Sequence, residues 1–106
     1  MAKYLIQASY TLQGTKGLLK EGGSSRRAVV KQMVEGLGGK LDAFYYAFGE
    51  TDVFVIMDLP DAQSAAAISL AVNAAGGAEV SVTHLLTPEE IDAACKKSVA
   101  YRAPGA

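Results

Sequence analysis

The sequence predicts an α+β fold, a four-stranded antiparallel sheet carrying two long helices on one face and a further helix at the C-terminal end. Three observations predict it. Strand-like and helix-like patterns follow one another in the order β-α-β-β-α-β before the last helix. Leu41–Phe48 and Val53–Leu59 are strand patterns joined by Gly49-Glu50-Thr51-Asp52, a connection short enough for an antiparallel hairpin. The second of these strands, Val53-Phe54-Val55-Ile56-Met57, is apolar at every position. Side chains alternate between the two faces of a strand, so an unbroken apolar run asks for burial on both. A chain of 106 residues covers one face of a small sheet, and a second subunit is the natural cover for the other.

The elements follow in order. Lys3–Tyr10 is the first strand, with Tyr4, Ile6, Ala8 and Tyr10 on one face and Leu5, Gln7 and Ser9 on the other. In Thr11–Glu21, Gly14 and Gly17 disfavour a stable helix while Leu18-Leu19 need burial, so a short helical turn is expected. Gly22-Gly23-Ser24-Ser25 supplies a loop and a cap for a helix over Ser25–Leu37, whose Val30, Met33, Val34 and Leu37 form one apolar stripe. Gly38-Gly39 ends it. Lys40–Phe48 and Asp52–Leu59 are the hairpin strands; Gly49 is expected to take positive φ in the turn, with Asp52 bonding the local backbone. Pro60 closes the third strand and Asp61 caps an Ala-rich helix that Gly76-Gly77 stops. That helix is so poor in charge that it should be covered on most sides. Ala78–Leu86 is the fourth strand. Thr87-Pro88-Glu89-Glu90 then starts a helix that ends near Lys97, with Thr as cap and Pro at its first position. This is the ferredoxin-like βαββαβ arrangement with strand order 4-1-3-2. Residues 1–97 form one domain and 98–106 an extended tail. Two such sheets packed face to face make a dimeric α/β barrel.

Composition excludes several function classes. Ten Lys and Arg balance eleven Asp and Glu, which leaves no basic field for nucleic acid or an acidic membrane surface. No apolar stretch approaches the roughly 20 residues that span a bilayer. The N-terminus runs straight into a strand pattern without the apolar core of a signal peptide, and Cys95 is the only cysteine, so a reducing cytoplasm is expected. One His, one distant Cys and scattered carboxylates have no metal-ligand spacing, and no glycine pattern cradles a phosphate or dinucleotide. No cofactor is expected.

Candidate functional residues remain. Ser24, Arg26 and Arg27 stand at a helix start, where backbone N–H groups, a hydroxyl and two guanidiniums suit a small anion; the simpler role for the arginines is to lie on the solvated face or to pair with Glu21 or with a partner subunit. His84, the only histidine, shares a face with Val80 and Val82 and could transfer protons. Tyr46 offers a hydroxyl as acid or orienting donor; packing is the simpler role for it and for Tyr45, Phe44 and Phe48. Lys16, in a Gly-flanked segment, could sit on a lid. Gln7, Ser9, Asp58, Ser81 and Thr83 would make a polar patch on an apolar sheet if they face the same way, as small-molecule sites often do.

Several segments carry a resemblance. Tyr4–Thr11, Lys16–Gly23, Phe48–Val53, Ala65–Ala74 and Tyr101–Ala106 resemble the GYD domain family over nearly the whole chain. Gly49 and Asp52 fit the Gly and Asp of the name, and Thr51 stands where a tyrosine is expected. The resemblance implies a small bacterial dimeric α/β-barrel protein and supplies no activity. Three functions compete. The first is a homo-oligomeric small-molecule-binding or sensing module, motivated by the two-faced apolar sheet and the scarcity of acid/base groups. The second is a cofactor-free enzyme, isomerase- or monooxygenase-like, acting on a small organic acid or reactive metabolite through His84, Tyr46 and Arg26. The third is a structural or assembly role in which the Tyr101–Ala106 tail clasps a neighbour.

Overall fold

A computed structural model describes residues 1–106. Its elements are β1 (Ala2–Tyr10), α1 (Leu12–Glu21), α2 (Gly23–Gly36), β2 (Lys40–Tyr46), β3 (Val53–Leu59), α3 (Ala62–Ala75), β4 (Ala78–Leu85) and α4 (Pro88–Cys95). The sheet has the order β2-β3-β1-β4 and every neighbouring pair is antiparallel. This is the ferredoxin-like α+β arrangement that the element order predicts.

Register decides what each face holds. Tyr4 lies opposite Met57, Ile6 opposite Val55, and Leu59 follows in the same alternation. These side chains point to the helices and are buried with Val34 of α2 and Ala65 and Ile68 of α3. The intervening residues Leu5, Gln7, Phe54 and Ile56 point the other way and are only half-buried. Ser81 and Thr83 lie opposite Gln7 and Leu5 on that same open face. At one end of it Lys3 is held between Asp42 and Asp58, with Nζ 3.0 Å from Asp58 Oδ1, and both carboxylates raise its pKa. Asp58 is therefore already paired, sharing Lys3 with Asp42.

Several local expectations are corrected. Leu12–Glu21 is a full ten-residue helix, not a turn. Thr11 caps it, accepting from the Gly14 N–H, and tertiary contact overrides the weak propensity of its glycines. A Cβ on Gly14 would stand 1.8 Å from the Gly77 carbonyl oxygen, so the residue is small because the α3–β4 turn lies against it. Thr11 completes that contact through its N–H to Gly77 O at 3.1 Å and its hydroxyl to Gly76 O at 2.8 Å.

No serine caps α2. Gly22 alone joins α1 to α2, and its φ of 85° with ψ of 163° is a conformation essentially reserved for glycine. Ser24 and Ser25 fall inside the first turn of α2. β2 ends at Tyr46, and the positive φ near the turn belongs to Phe48 (58°), not Gly49. Finally, α3 is not covered on most sides: only Ala65 and Ile68 are buried, because one chain supplies cover only on its sheet-facing side.

Candidate functional site in the cleft between α1 and α3

Two connected spaces lie between the sheet and its helices. A cleft of about 430 Å³ is walled by Gln13, Gly14, Gly17, Leu18 and Glu21 of α1, by Arg26 and Met33 of α2, and by Ala71, Val72 and Ala75 of α3. Its α1 residues fall at intervals of one helical turn, so one face of that helix forms the wall. Beneath it an apolar chamber of about 100 Å³ reaches the inner sheet face at Ile6, Val55 and Val80. Tyr10, Arg26, Met33, Val72 and Ala78 border both spaces, so the two adjoin; both are mostly apolar, and Gln13, Glu21 and Arg26 are the polar side chains at the cleft.

Arg26 is the charge at the junction. Its Nη1 is 3.6 Å from Glu21 Oε2, beyond hydrogen-bond distance, and its side chain is 35% exposed. An exposed pair at that separation contributes at most about 1 kcal/mol, so an incoming anion can displace Glu21. Tyr46 stands beside it. Burial, reinforced by the neighbouring Tyr10 hydroxyl, pushes the Tyr46 phenol up to about 12, with Arg26 acting weakly in the opposite direction. The Tyr46 hydroxyl therefore stays protonated at neutral pH. It donates a long bond of 3.4 Å to Gly23 O and is a donor rather than a base. Phe44 meets the Tyr46 ring edge-on and Phe48 stacks on it at 5.6 Å.

The remaining candidates are dispersed. Ser24, Arg27 and Tyr46 border a separate hollow of about 310 Å³ on the far side of the start of α2. Lys16 is exposed on α1 and lines none of these spaces, although the segment carrying it does wall the cleft. Gln7 and Asp58 lie on the open face of the sheet, the opposite side from Arg26. His84 is exposed on the edge strand β4, its ring stacked on Tyr4 at 4.9 Å, and it lines none of the three spaces. Tyr46 is on the other edge strand and four residues further along the register, which separates it from His84 by about 20 Å on strand geometry. No group of three or more His, Cys, Asp or Glu side chains converges as metal ligands would. No helix is long and apolar enough to cross a membrane.

Sequence reading missed Tyr10, Gln13 and Gly77 as site residues. Gly14 carried the signal for two of them, since a glycine inside a helical pattern marks a close approach. Here it brings α1 down on Gly77 and sets the width of the cleft.

A family model for the GYD domain matches residues 4–95. The chain belongs to the GYD domain family. No curated protein and no solved structure matches it. The matched region includes the hairpin turn after β2, and Asp52 has a clear structural task there. Its Oδ2 accepts from the Tyr10 N–H at 2.8 Å, and its own N–H donates to Ala8 O at 2.8 Å. β3 stops pairing with β1 at Ala8, so Asp52 takes over the next free donor of β1. Its bond goes across to β1 and not to the local turn. Ser9 adds a hydroxyl bond to Glu50 O at 2.7 Å. The GYD hairpin thus fixes the end of β1, and with it Tyr10 at the cleft.

Proposed function

We propose that this GYD-domain protein is a homo-oligomeric binding or sensing module for a small amphipathic anion, taken up in the cleft between α1 and α3. The observation that carries this reading is the continuity of the two spaces at Arg26, where a loosely held guanidinium stands above an apolar chamber. Sites of this size, mostly apolar with a few converging polar groups, are the common form of small-molecule pocket. A carboxylate would replace Glu21 at Arg26, with Tyr10, which lines both spaces, beside it. A short apolar body would enter toward Val55 and Val80. Half-buried Leu5, Phe54 and Ile56 support the oligomer, with the open face of the sheet lying against a second copy. Binding is favoured over catalysis because the high Tyr46 pKa and the distance to His84 leave one subunit without a paired acid and base at the cleft.

The test is a titration of short- and medium-chain monocarboxylates against alcohols of matched length, followed by calorimetry and thermal shift. Carboxylates should bind and stabilise while alcohols do not. Arg26→Ala should weaken carboxylate binding roughly tenfold or more, the usual size of a charge-assisted hydrogen bond. Equal affinity in the variant, or no carboxylate that binds, would remove the reading.

A further inference from the structure

We propose that residues Thr87–Ala106 are an exchange arm whose acidic helix α4 seats on the basic α1–α2 surface of a second copy of this chain. The inference is independent of the cleft's ligand and stands or falls without it.

The arm is unpacked on its own chain. Every residue from Leu86 to Ala106 is exposed, and α4 buries nothing. With the arm, the whole chain is drawn out to 57 × 33 × 23 Å, with a radius of gyration of 16.9 Å where a compact domain of about 100 residues has about 13 Å. An eight-residue helix without tertiary support is marginal in water, even with the Thr87–Glu90 capping box this one has. The arm also displays large apolar side chains, among them Leu86, Ile91, Val99 and Tyr101, the last 74% exposed. Single exposed apolar residues are ordinary; a run of them on an unsupported helix and tail calls for a covering surface.

Charge and apolar content identify that surface. α4 carries Glu89, Glu90 and Asp92 and no cation, while Lys96, Lys97 and Arg102 follow it in the tail, so the acidic face that seats is the helix and not the arm as a whole. α1 and α2 carry Lys16, Lys20, Arg26, Arg27 and Lys31 against Glu21 and Glu35. They also expose Leu12, Val29 and Leu19, the last 83% exposed. The two surfaces are complementary in sign, and each has apolar side chains for the other to cover.

Its own α1 is out of reach of α4. Thr11, at the head of α1, is fastened to Gly77 just before β4 begins. Arg26 borders the same end, beside Gly77 and Ala78. α4 departs from the other end of that eight-residue strand, about 26 Å away, after a connection of only two residues. Its own α2 runs back toward the α4 end but packs over β2, the opposite edge strand from β4, with α3 over the β4 side. A second copy presents the same basic surface without these constraints. Seated there, the arm would lie along the helix that walls the partner's cleft.

A charge-swap mixing experiment tests this, read by sedimentation and by hydrogen exchange of the α4 amides over a range of protein concentration. The variants are Glu89→Lys with Asp92→Lys, and Lys20→Glu with Lys31→Glu; all four positions are exposed, and none caps a helix or touches the core. In the unmodified protein, α4 protection should rise with concentration. Each variant alone should lose it, with arm-dependent association weakened roughly tenfold by two reversed surface pairs. Mixing the two variants should restore protection to the α4 of the Lys20→Glu, Lys31→Glu chain, whose native acidic helix meets the unmodified basic helices of the other variant, and to the α4 of the Glu89→Lys, Asp92→Lys chain against the reversed helices of its partner. Protection that is independent of concentration would place the arm on its own body and overturn the proposal. A mixture no better than either variant alone would overturn it as well. Sheet-to-sheet pairing is untouched by these substitutions, so its persistence or loss is read separately.

Discussion

Both faces of β3 are apolar in sequence over Val53–Met57, and they are unequal in the fold. Val53, Val55, Met57 and Leu59 are buried beneath the helices, whereas Phe54 and Ile56 on the other side are only half-buried. Strand periodicity assigns the two sets but cannot say what covers each. The helices of one chain are used up on the first set. The second set is sheltered only by neighbours in the same sheet, and it is the set that the proposed pairing of two copies would cover.

The largest expected effect comes from breaking the covered face. Met57 is 1% exposed, and Met57→Ala should cost about 2–5 kcal/mol in urea or guanidinium unfolding, the range for emptying a closed core site. That loss should be the same at every protein concentration. Ile56→Ala makes the sharper contrast. Its cost should be smaller in dilute protein and should grow with concentration, because in the proposed oligomer its side chain would gain full burial. Identical, concentration-independent losses at the two positions would show that the two faces are not distinct in this sense.

The next effect concerns the hairpin that holds β1 in place for both faces. Asp52→Ala removes the acceptor of the Tyr10 N–H in a part-buried position. An unsatisfied donor of that kind costs about 1–3 kcal/mol. The change should also loosen Tyr10, so in the same variant any ligand of the cleft should bind more weakly. Unchanged stability would mean that water replaces the carboxylate there.

How much of this was legible follows from the same contrast. Patterns with one cause could be read directly: the apolar alternation of β1, the stripe on α2, the Asp61 and Thr87 caps, the glycine that ends α3. Strand order and the shared face of Gln7, Ser81 and Thr83 followed from topology. What depended on distant partners did not. α1 was undervalued because its glycines look like helix breakers until Gly77 is placed against Gly14. The candidate site residues were chosen by chemistry, and the fold scatters them: Arg26 and Tyr46 come together, Gln7 and Asp58 lie across the sheet, and His84 stands at the far edge. Sequence distance carries no information about which face or edge a polar side chain reaches.

The smallest effect separates two helices with similar caps and different support. Asp61 caps α3 through the Ser64 N–H and hydroxyl, and Glu90 closes the Thr87 box on α4. The Ser64 bonds hold the Asp61 carboxyl below its usual value, and the Thr87 backbone N–H, then its hydroxyl, do the same for Glu90. A carboxyl whose folded pKa is depressed stabilises the fold above its unfolded pKa, and that contribution disappears as pH falls through the lower, folded value. Both caps should therefore weaken on acidification below the ordinary carboxyl range. α3 keeps Ala65 and Ile68 in the core and should stay helical, while α4 has no buried residue in its own chain to hold it. In dilute protein, the protection of the α4 amides relative to their intrinsic exchange rates should fall between neutral pH and pH about 3, and that of the α3 amides should not. Glu90→Gln keeps a side chain able to complete the capping box but cannot titrate, so it should flatten the response of α4. A response that survives Glu90→Gln unchanged would assign it to other carboxylates, with Glu89 and Asp92 on the same helix the first to examine.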